Sequence, residues 1–284
     1  MKLTTSILAI AALGLAACGG NEEAEAPAEA EMVTPEEAAP EPVEETVDVD
    51  VELEVEPDPT MDAIAAAVAH PDRPADEVEN DASRMPAATL RFAGIEEGMT
   101  IMELEAGGGY FTEILSRAVG PEGKVYMQNP QSFDTFLGDS LERRLGNDRL
   151  PNVVVMRTNF DNLEADDESV DVVTWIQGPH ELWFSPDGET SLGDPETSFA
   201  EIARVLKPGG AFVAIDHRAA DGAGPEVGGT LHRIEASIIQ TYAEDAGLVL
   251  GKTSDMLANP EDPLTIGVFD PSIRGNTDQF VLYF

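Results

Sequence analysis

The feature that most constrains the fold is the alternation of short apolar runs with helical patterns along residues 100–284. Apolar runs rich in β-branched residues are typical of strands that are buried on both faces. We predict seven strands, at Thr100–Leu104, Lys124–Gln128, Val153–Arg157, Val170–Ile176, Ala211–Ile215, Leu248–Thr253 and Gln279–Phe284. Strands that alternate with helices predict an α/β protein with a doubly wound, mostly parallel seven-stranded sheet.

Helices are predicted between and before these strands from the spacing of apolar residues. One of them begins at Asp194-Pro195, where Asp can cap the helix and Pro suits its first position, and it ends near Leu206 before Pro208-Gly209-Gly210. The others are Met61–Ala69, Ala75–Ala93 with an interruption at Pro86, Tyr110–Val119, Ser132–Leu145 and Leu231–Ala246.

The first residues of the chain have the pattern of a secretory signal. Lys2 precedes an apolar run that is too short to span a bilayer as a helix and that closes on Leu15-Ala16-Ala17-Cys18. This ending resembles the lipobox of bacterial lipoprotein precursors, which implies a signal peptide over residues 1–17 and a lipid-modified Cys18. Gly19 follows, and by the same resemblance it favours the outer membrane, so we expect a lipid-anchored protein of the bacterial cell envelope, on the periplasmic face.

Residues 18–60 are predicted to be a disordered acidic tether, and residues 61–284 a folded domain. Sixteen of the chain's 55 acidic residues lie between Asn21 and Thr60, with no Lys or Arg among them. The net charge of −39 makes nucleic acid and anionic headgroups improbable partners, so membrane attachment should depend on Cys18. Because Cys18 is the only cysteine, disulfides within the chain and Cys-based metal sites are excluded.

A glycine-rich turn follows the first predicted strand. Glu103 stands near the end of that strand, and Gly107, Gly108 and Gly109 precede the helix that begins at Tyr110. Glycines at such a place let the backbone approach a ligand closely. By itself the pattern also fits a tight strand–helix turn that binds nothing.

A second motif is more specific. The stretch Phe199–Val213 contains a helix face, a Leu-Lys-Pro-Gly-Gly turn and a buried strand, and it resembles the corresponding part of class I S-adenosylmethionine-dependent methyltransferases. The resemblance covers roughly Gly98–Phe284 and implies a Rossmann-like fold with S-adenosylmethionine as cofactor. Asp72-Arg73-Pro74 and Phe269–Gly275 resemble motifs in a small set of predicted methyltransferases, although capping and loop closure explain them equally well.

The resemblance assigns roles to five residues. Glu103 would lie near the methionine part of the cofactor, beside the backbone of Gly107 and Gly109. Asn129 stands where the family usually holds the ribose hydroxyls, and Asn159 where it reads the adenine amine. Both positions are usually acidic, and a further departure places Glu105 at the first glycine of the family's turn.

Candidate catalytic residues follow the later strands. His180 comes after the fourth strand and His217 after the fifth, and either imidazole could take a proton from an acceptor. His232 is predicted to begin a later helix. Three histidines with Asp216 could hold a metal instead, but the spacing matches no known ligand pattern, so no metal is predicted.

The sequence therefore predicts methyl transfer from S-adenosylmethionine to a small-molecule acceptor. The predicted compartment conflicts with that activity, because the cofactor is made in the cytoplasm and does not cross a bilayer. An alternative is a non-catalytic binding or envelope-interaction protein on the same fold. A metal-dependent hydrolase that uses the histidines is a third possibility. Acceptor identity and oligomeric state leave no signal in the sequence.

Overall fold

The structure is a computed structural model that describes residues 59–284. The predicted signal peptide over residues 1–17, Cys18 and all but the last residues of the predicted tether lie outside the described residues. Among the helices of residues 59–284, none has both the length and the apolar character needed to cross a membrane.

One seven-stranded sheet organises residues 59–284. Its strands are β1 (Thr100–Leu104), β2 (Lys124–Gln128), β3 (Val153–Met156), β4 (Val170–Ile176), β5 (Leu206–His217), β6 (Lys252–Ser254) and β7 (Gln279–Tyr283). They lie in the order β3-β2-β1-β4-β5-β7-β6. The pairs from β3 to β5 are parallel, and β7 runs antiparallel to both β5 and β6. The predicted doubly wound, mostly parallel sheet is confirmed.

Helices cover both faces of this sheet. They are α1 (Pro59–Val68), α2 (Ala75–Val78), α3 (Asp81–Arg84), α4 (Pro86–Ala93), α5 (Tyr110–Val119), α6 (Asp134–Leu137), α7 (Ser140–Leu145), α8 (Pro195–Val205), α9 (Gly228–Leu231) and α10 (Ala236–Asp245). Helix α8 begins as predicted, with the Asp194 carboxylate accepting from the Thr197 amide at 2.9 Å.

Side chains of the central strands alternate between two cores. Phe212 and Ala214 of β5 pack into the core beneath α8 and α10, whereas Val213 and Ile215 pack beneath α1 and α5. Trp175 of β4 is fully buried between Phe160 and Phe199, so it is a core residue rather than part of an exposed binding surface.

Three helix predictions need correction. The stretch Ser132–Leu145 is broken between α6 and α7 by Gly138, whose φ of +53° lies in the left-handed region. The stretch 75–93 divides into α2, α3 and α4. Residues 231–246 do not form one helix, because His232 adopts φ +54° and ends α9, and α10 begins only at Ala236.

An ion pair connects the N-terminal helical segments, and a hydrogen bond links them to α5. Arg73 donates to both oxygens of Asp81 at 2.7 Å, and the Tyr110 hydroxyl donates to the same carboxylate at 2.6 Å. Arg73 also donates to the carbonyl of Val68 at 2.5 Å, closing the turn between α1 and α2. The Asp72-Arg73-Pro74 motif therefore has a structural role in closing this turn.

Candidate functional site

The candidate site lies at the carboxyl edge of the sheet, where the parallel strands β1, β4 and β5 end. The chain leaves β1 toward β2 on one side and later returns to β4 on the other, so the direction of winding changes between β1 and β4. Ligands of open α/β sheets bind in the crevice at such a switch point. All the candidate residues from the sequence except Asn129 and Asn159 follow or close one of these three strands.

Glu103 is buried at the end of β1, where it accepts a hydrogen bond from the Thr112 hydroxyl of α5. Burial raises the pKa of Glu103 to about 7, although the Thr112 hydroxyl and the charge of Arg84 act in the opposite direction. The carboxylate is therefore poised to gain or lose its proton near neutral pH.

The glycine turn, residues 105–109, is held from two sides. Asn129 accepts from the Gly107 amide at 2.8 Å and donates to the Gly107 carbonyl at 3.2 Å, so both polar atoms of its buried side chain are used. On the outer side the Nε of Arg144 donates to the Gly108 carbonyl at 3.0 Å. Asn129 thus clamps the turn, and a contact with a ribose hydroxyl would require it to release Gly107.

Two glycines of this turn are needed for different reasons. Gly109 has φ +86°, and a Cβ there would lie 2.9 Å from the Cε of Met127, so it is required for packing. Gly107 has φ +56°, and no atom lies within 4 Å of the place where its Cβ would stand. Gly107 therefore borders open space that a ligand can enter.

Asn159 follows β3 and is partly exposed. Its amide donates to the Ser191 carbonyl at 3.1 Å, which leaves its side-chain oxygen without a partner among the contacts of residues 59–284. Its predicted contact with adenine stays a prediction.

Glu105 occupies the first glycine position of the turn and reaches across to β4. Its carboxylate accepts from the Trp175 indole at 3.1 Å and lies against Gly178, where an added Cβ would meet it at 2.1 Å. Burial and then the charge of Glu181 raise the pKa of Glu105 well above its ordinary range. The side chain links the glycine turn to the histidines.

His180, Glu181, Asp216, His217 and His232 form a second group, which we call the histidine cluster. His180 is 3% exposed, and its Nδ1 lies 2.8 Å from Asp216, which also accepts from the His180 amide at 2.7 Å. The Nε2 of His180 lies 3.2 Å from the Nδ1 of His232 and 3.3 Å from Oε1 of Glu181. Burial of His180 is outweighed by the two carboxylates, which raise its pKa to about 10.

His217 stands on the other side of Asp216. Its amide donates to Asp216 at 2.7 Å, and its Nδ1 lies 2.6 Å from the Thr277 hydroxyl. Burial lowers the pKa of His217 to about 4, so its imidazole is neutral near pH 7. Near pH 7 the two candidate bases therefore differ in charge: His180 is protonated and His217 is neutral.

Sequence reasoning missed one member of the site and did not foresee a contact made by another residue. Glu181 directly follows His180, and its adjacency to a candidate histidine was a usable signal. Phe269 packs edge-on against His232 with ring centroids 4.9 Å apart, although the two residues are far apart in the chain. Phe269 begins the Phe269–Gly275 motif, but nothing in the sequence indicated its contact with His232.

The fold and site agree with comparisons to known proteins. Residues 102–214 match a sequence family described as a methyltransferase domain. The ubiquinone/menaquinone biosynthesis C-methyltransferase UbiE of Idiomarina loihiensis is 25% identical over 68% of this chain and 66% of its own length. The protein of that name from Escherichia coli is 27% identical over 45% of this chain and 46% of its own length. The chain therefore matches only about half to two thirds of these relatives.

Solved structures support the same fold. A SAM-dependent methyltransferase from Aquifex aeolicus superimposes with a TM-score of 0.50 and 24% identity, covering 74% of this chain and 97% of its own. A putative methyltransferase from Haloferax volcanii, solved with the methyltransferase activator Trm112, superimposes with a TM-score of 0.50 and 17% identity. The match covers 78% of this chain and 95% of the other. The chain has the class I methyltransferase fold. Together the comparisons support a methyltransferase with S-adenosylmethionine as its cofactor.

The residues at the carboxyl edge fit that cofactor. S-adenosylmethionine carries positive charge on its sulfonium and amine, and Glu103 supplies negative charge beside the glycine turn once its proton is lost. The open space at Gly107 leaves room for a ligand against bare backbone. The match is incomplete at Asn129, which is occupied by Gly107.

Proposed function

We propose that the domain transfers a methyl group from S-adenosylmethionine to a small-molecule acceptor at the carboxyl edge of the sheet. The observation that carries the proposal is the link between two groups of residues: Glu105 extends from the glycine turn to β4, where the histidine cluster begins. A cofactor held at the turn would thus lie beside side chains able to accept a proton.

Glu103, Gly107 and Gly109 would hold the cofactor, with Asn129 and Asn159 nearest to its ribose and adenine. When bound, S-adenosylmethionine supplies an electrophilic methyl group. Glu103 provides negative charge once its proton is lost, and the partly buried Glu105 adds a polar wall on the β4 side. In-line displacement requires alignment of acceptor and methyl group, which a rigid edge of three parallel strands favours.

His217 is the better candidate for the base. Its imidazole is neutral at pH 7, whereas His180, with a pKa of about 10, already carries its proton. When the Nδ1–H of His217 donates to Thr277, its Nε2 lone pair is left to accept a proton. His180 is instead fixed by Asp216.

The comparisons suggest where to search for the acceptor. The UbiE relatives are named for ubiquinone and menaquinone biosynthesis, so quinone precursors belong in an acceptor panel. The wild-type protein should convert S-adenosylmethionine to its demethylated product only when a suitable acceptor is present. Cofactor binding without turnover across phenols, thiols, amines and quinone precursors would count against methyl transfer.

A non-catalytic binding function is the second candidate, and two observations favour it. The Asn129 side chain is fully engaged by Gly107, and Glu105 fills the place of the first glycine of the turn. Such a protein would bind the cofactor, its demethylated product or a related nucleoside without consuming it. The same panel separates the two functions, because only an enzyme releases the demethylated product.

We also propose that the protein is attached to the cell envelope through Cys18, at the periplasmic face of the outer membrane. The support is the Leu-Ala-Ala-Cys sequence that ends at Cys18 and the Gly19 that follows. Radiolabelled palmitate should enter the wild type and be absent from Cys18→Ser. Equal labelling of both proteins would refute lipidation, and recovery of both from the cytoplasm would refute export.

A further inference from the structure

Three ligand-type atoms of the histidine cluster form a nearly equilateral triangle. The Nε2 of His180 lies 3.2 Å from the Nδ1 of His232 and 3.3 Å from Oε1 of Glu181, and the last two atoms are 3.2 Å apart. Zinc binds imidazole nitrogen and carboxylate oxygen at about 2.0–2.1 Å, so two ligands of a tetrahedral ion stand about 3.3 Å apart. The triangle has the size of one face of such an ion.

The orientation of His180 also suits a ligand. Asp216 binds both the Nδ1 and the backbone amide of His180, at 2.8 and 2.7 Å, and this directs the Nε2 atom toward Glu181 and His232. A carboxylate behind an imidazole is the usual arrangement for a metal-binding histidine. Asp216 itself is fully buried and lies on the far side of the ring from the triangle.

The other two atoms are brought in by unusual local structure. His232 adopts φ +54°, a left-handed conformation that histidine tolerates better than most residues, and this break between α9 and α10 turns its Nδ1 toward His180. Glu181, whose Oε1 is the third atom of the triangle, is 7% exposed. Its other oxygen, Oε2, is buried with no hydrogen-bond partner among the described residues. An unpartnered carboxylate oxygen in a buried site is costly unless a cation or donor satisfies it.

We propose that His180, Glu181 and His232 bind one divalent transition-metal ion of the zinc class. Two nitrogens and one carboxylate are typical ligands of zinc and of non-haem iron(II), and a three-residue set leaves a coordination position open for an exogenous ligand. The ion takes the place of a proton between the two imidazoles, and Nδ1–H of His180 stays with Asp216. These ligands differ from the set considered in the sequence analysis, which was the three histidines with Asp216, because His217 contacts Thr277 instead.

The open position would take an oxygen or sulfur ligand of low basicity, such as a phenolate or thiolate. Metal ions lower the pKa of the groups that they coordinate, so an acceptor held there would lose its proton near neutral pH. That role rests on the proposed methyl transfer, whereas binding of the ion does not.

Metal binding can be measured without the cofactor. The full chain carrying Cys18→Ser, so that no thiol competes, should be treated with chelator, dialysed and titrated with zinc by calorimetry. One zinc per chain is expected above the weak background of surface carboxylates. Cobalt(II) in place of zinc should give d–d absorption bands of an ion with imidazole ligands.

Variants identify the ligands. Glu181→Gln keeps the size of the side chain, and His232→Asn keeps a residue that tolerates the left-handed conformation. Each should weaken zinc binding by more than roughly 10- to 100-fold, which is the loss expected when a carboxylate behind a metal ligand is removed. Asp216→Asn should show that smaller loss. His70→Asn is the matched control, because His70 contacts Arg117 and lies outside the cluster.

Circular dichroism and melting curves of each chelated variant separate lost ligands from lost folding. Absence of stoichiometric zinc binding by the folded parent protein would overturn the proposal. Equal affinity in the Glu181→Gln, His232→Asn and His70→Asn variants would overturn it as well. Zinc binding without any methyl transfer would support the metal site and count only against the proposed function.

Discussion

The glycine turn and the histidine cluster lie at the same edge of the sheet, yet they are built differently. The turn is formed by one strand–helix connection, and its clamp, Asn129, comes from the next strand. The histidine cluster combines residues that follow β4, residues that end β5 and a left-handed residue before α10. The first region resembles the glycine turn of the methyltransferase fold but departs from it at Glu105, whereas the second depends on contacts between segments that are distant in the chain.

The comparison teaches where function can vary. If the glycine turn binds the cofactor, that site is built from local sequence, whereas the loops beyond β4 and β5 can present other side chains on the same fold. We therefore expect changes in the histidine cluster to affect reaction more than binding, and changes around the glycine turn to affect binding and stability.

The largest expected effect is on turnover in the histidine cluster. Removing a positioned base typically costs about 10²–10⁴-fold in rate, so His217→Ala should lose turnover to that extent. Cofactor affinity and melting temperature should change little, and both are to be measured beside the rate. A variant that loses stability instead would show that His217 mainly holds Thr277.

A large effect on stability is expected behind the glycine turn. Glu113 is fully buried and accepts hydrogen bonds from Arg117, Arg144 and Arg149. Glu113→Gln removes the buried charge that these three arginines share and should lower the free energy of unfolding by about 3–5 kcal/mol, measured by urea denaturation. Asp139→Asn is the control, since its pair with Arg143 is exposed and is expected to contribute about 0–1 kcal/mol.

Cofactor affinity should depend on pH through Glu103. Its pKa of about 7 in the folded protein lies above the usual 4.5, so the folded state favours the neutral acid and loses stability as pH rises between those values. A cationic cofactor favours the ionised form instead, so affinity should rise from pH 6 to 8. Calorimetry of Glu103→Gln should show weaker binding without this rise, and an unchanged pH profile would exclude Glu103.

The smallest effect is expected for the clamp on the turn. Asn129→Ala removes two hydrogen bonds to Gly107, and each bond contributes about 1 kcal/mol. The melting temperature should therefore fall by several degrees. If Asn129 also contacts ribose, cofactor affinity should fall further than in Asn129→Asp, which keeps an acceptor for ribose hydroxyls. Equal affinity in wild type and both variants would assign Asn129 to the turn alone.

The sheet was predictable because its information is local. The strands β1, β2 and β4 begin and end at the residues predicted from their apolar runs, and α5 does so as well. Two of the three helix errors fall where one residue changes the backbone direction, at Gly138 and at His232. A left-handed histidine has no periodicity signal, so the helix predicted over residues 231–246 was too long.

Candidate site residues were predictable as positions at strand ends but not as partners. The sequence placed His180 and His217 at one edge, yet Asp216 between them and Glu105 against Gly178 depend on packing across distant segments. The carboxylates around His180 favour its charged form, whereas burial keeps His217 neutral. Contacts between side chains that are distant in the sequence can be identified only from the folded structure.

Calorimetry with S-adenosylmethionine and its demethylated product tests most directly whether the glycine turn is a cofactor site. We predict one site per chain in the wild type and no binding by Gly107→Val, whose side chain would enter the open space beside the turn. Gly94→Val imposes the same left-handed strain at the end of α4, before β1, and should retain binding. No heat from the folded wild type, or equal affinity in Gly107→Val, would contradict the account.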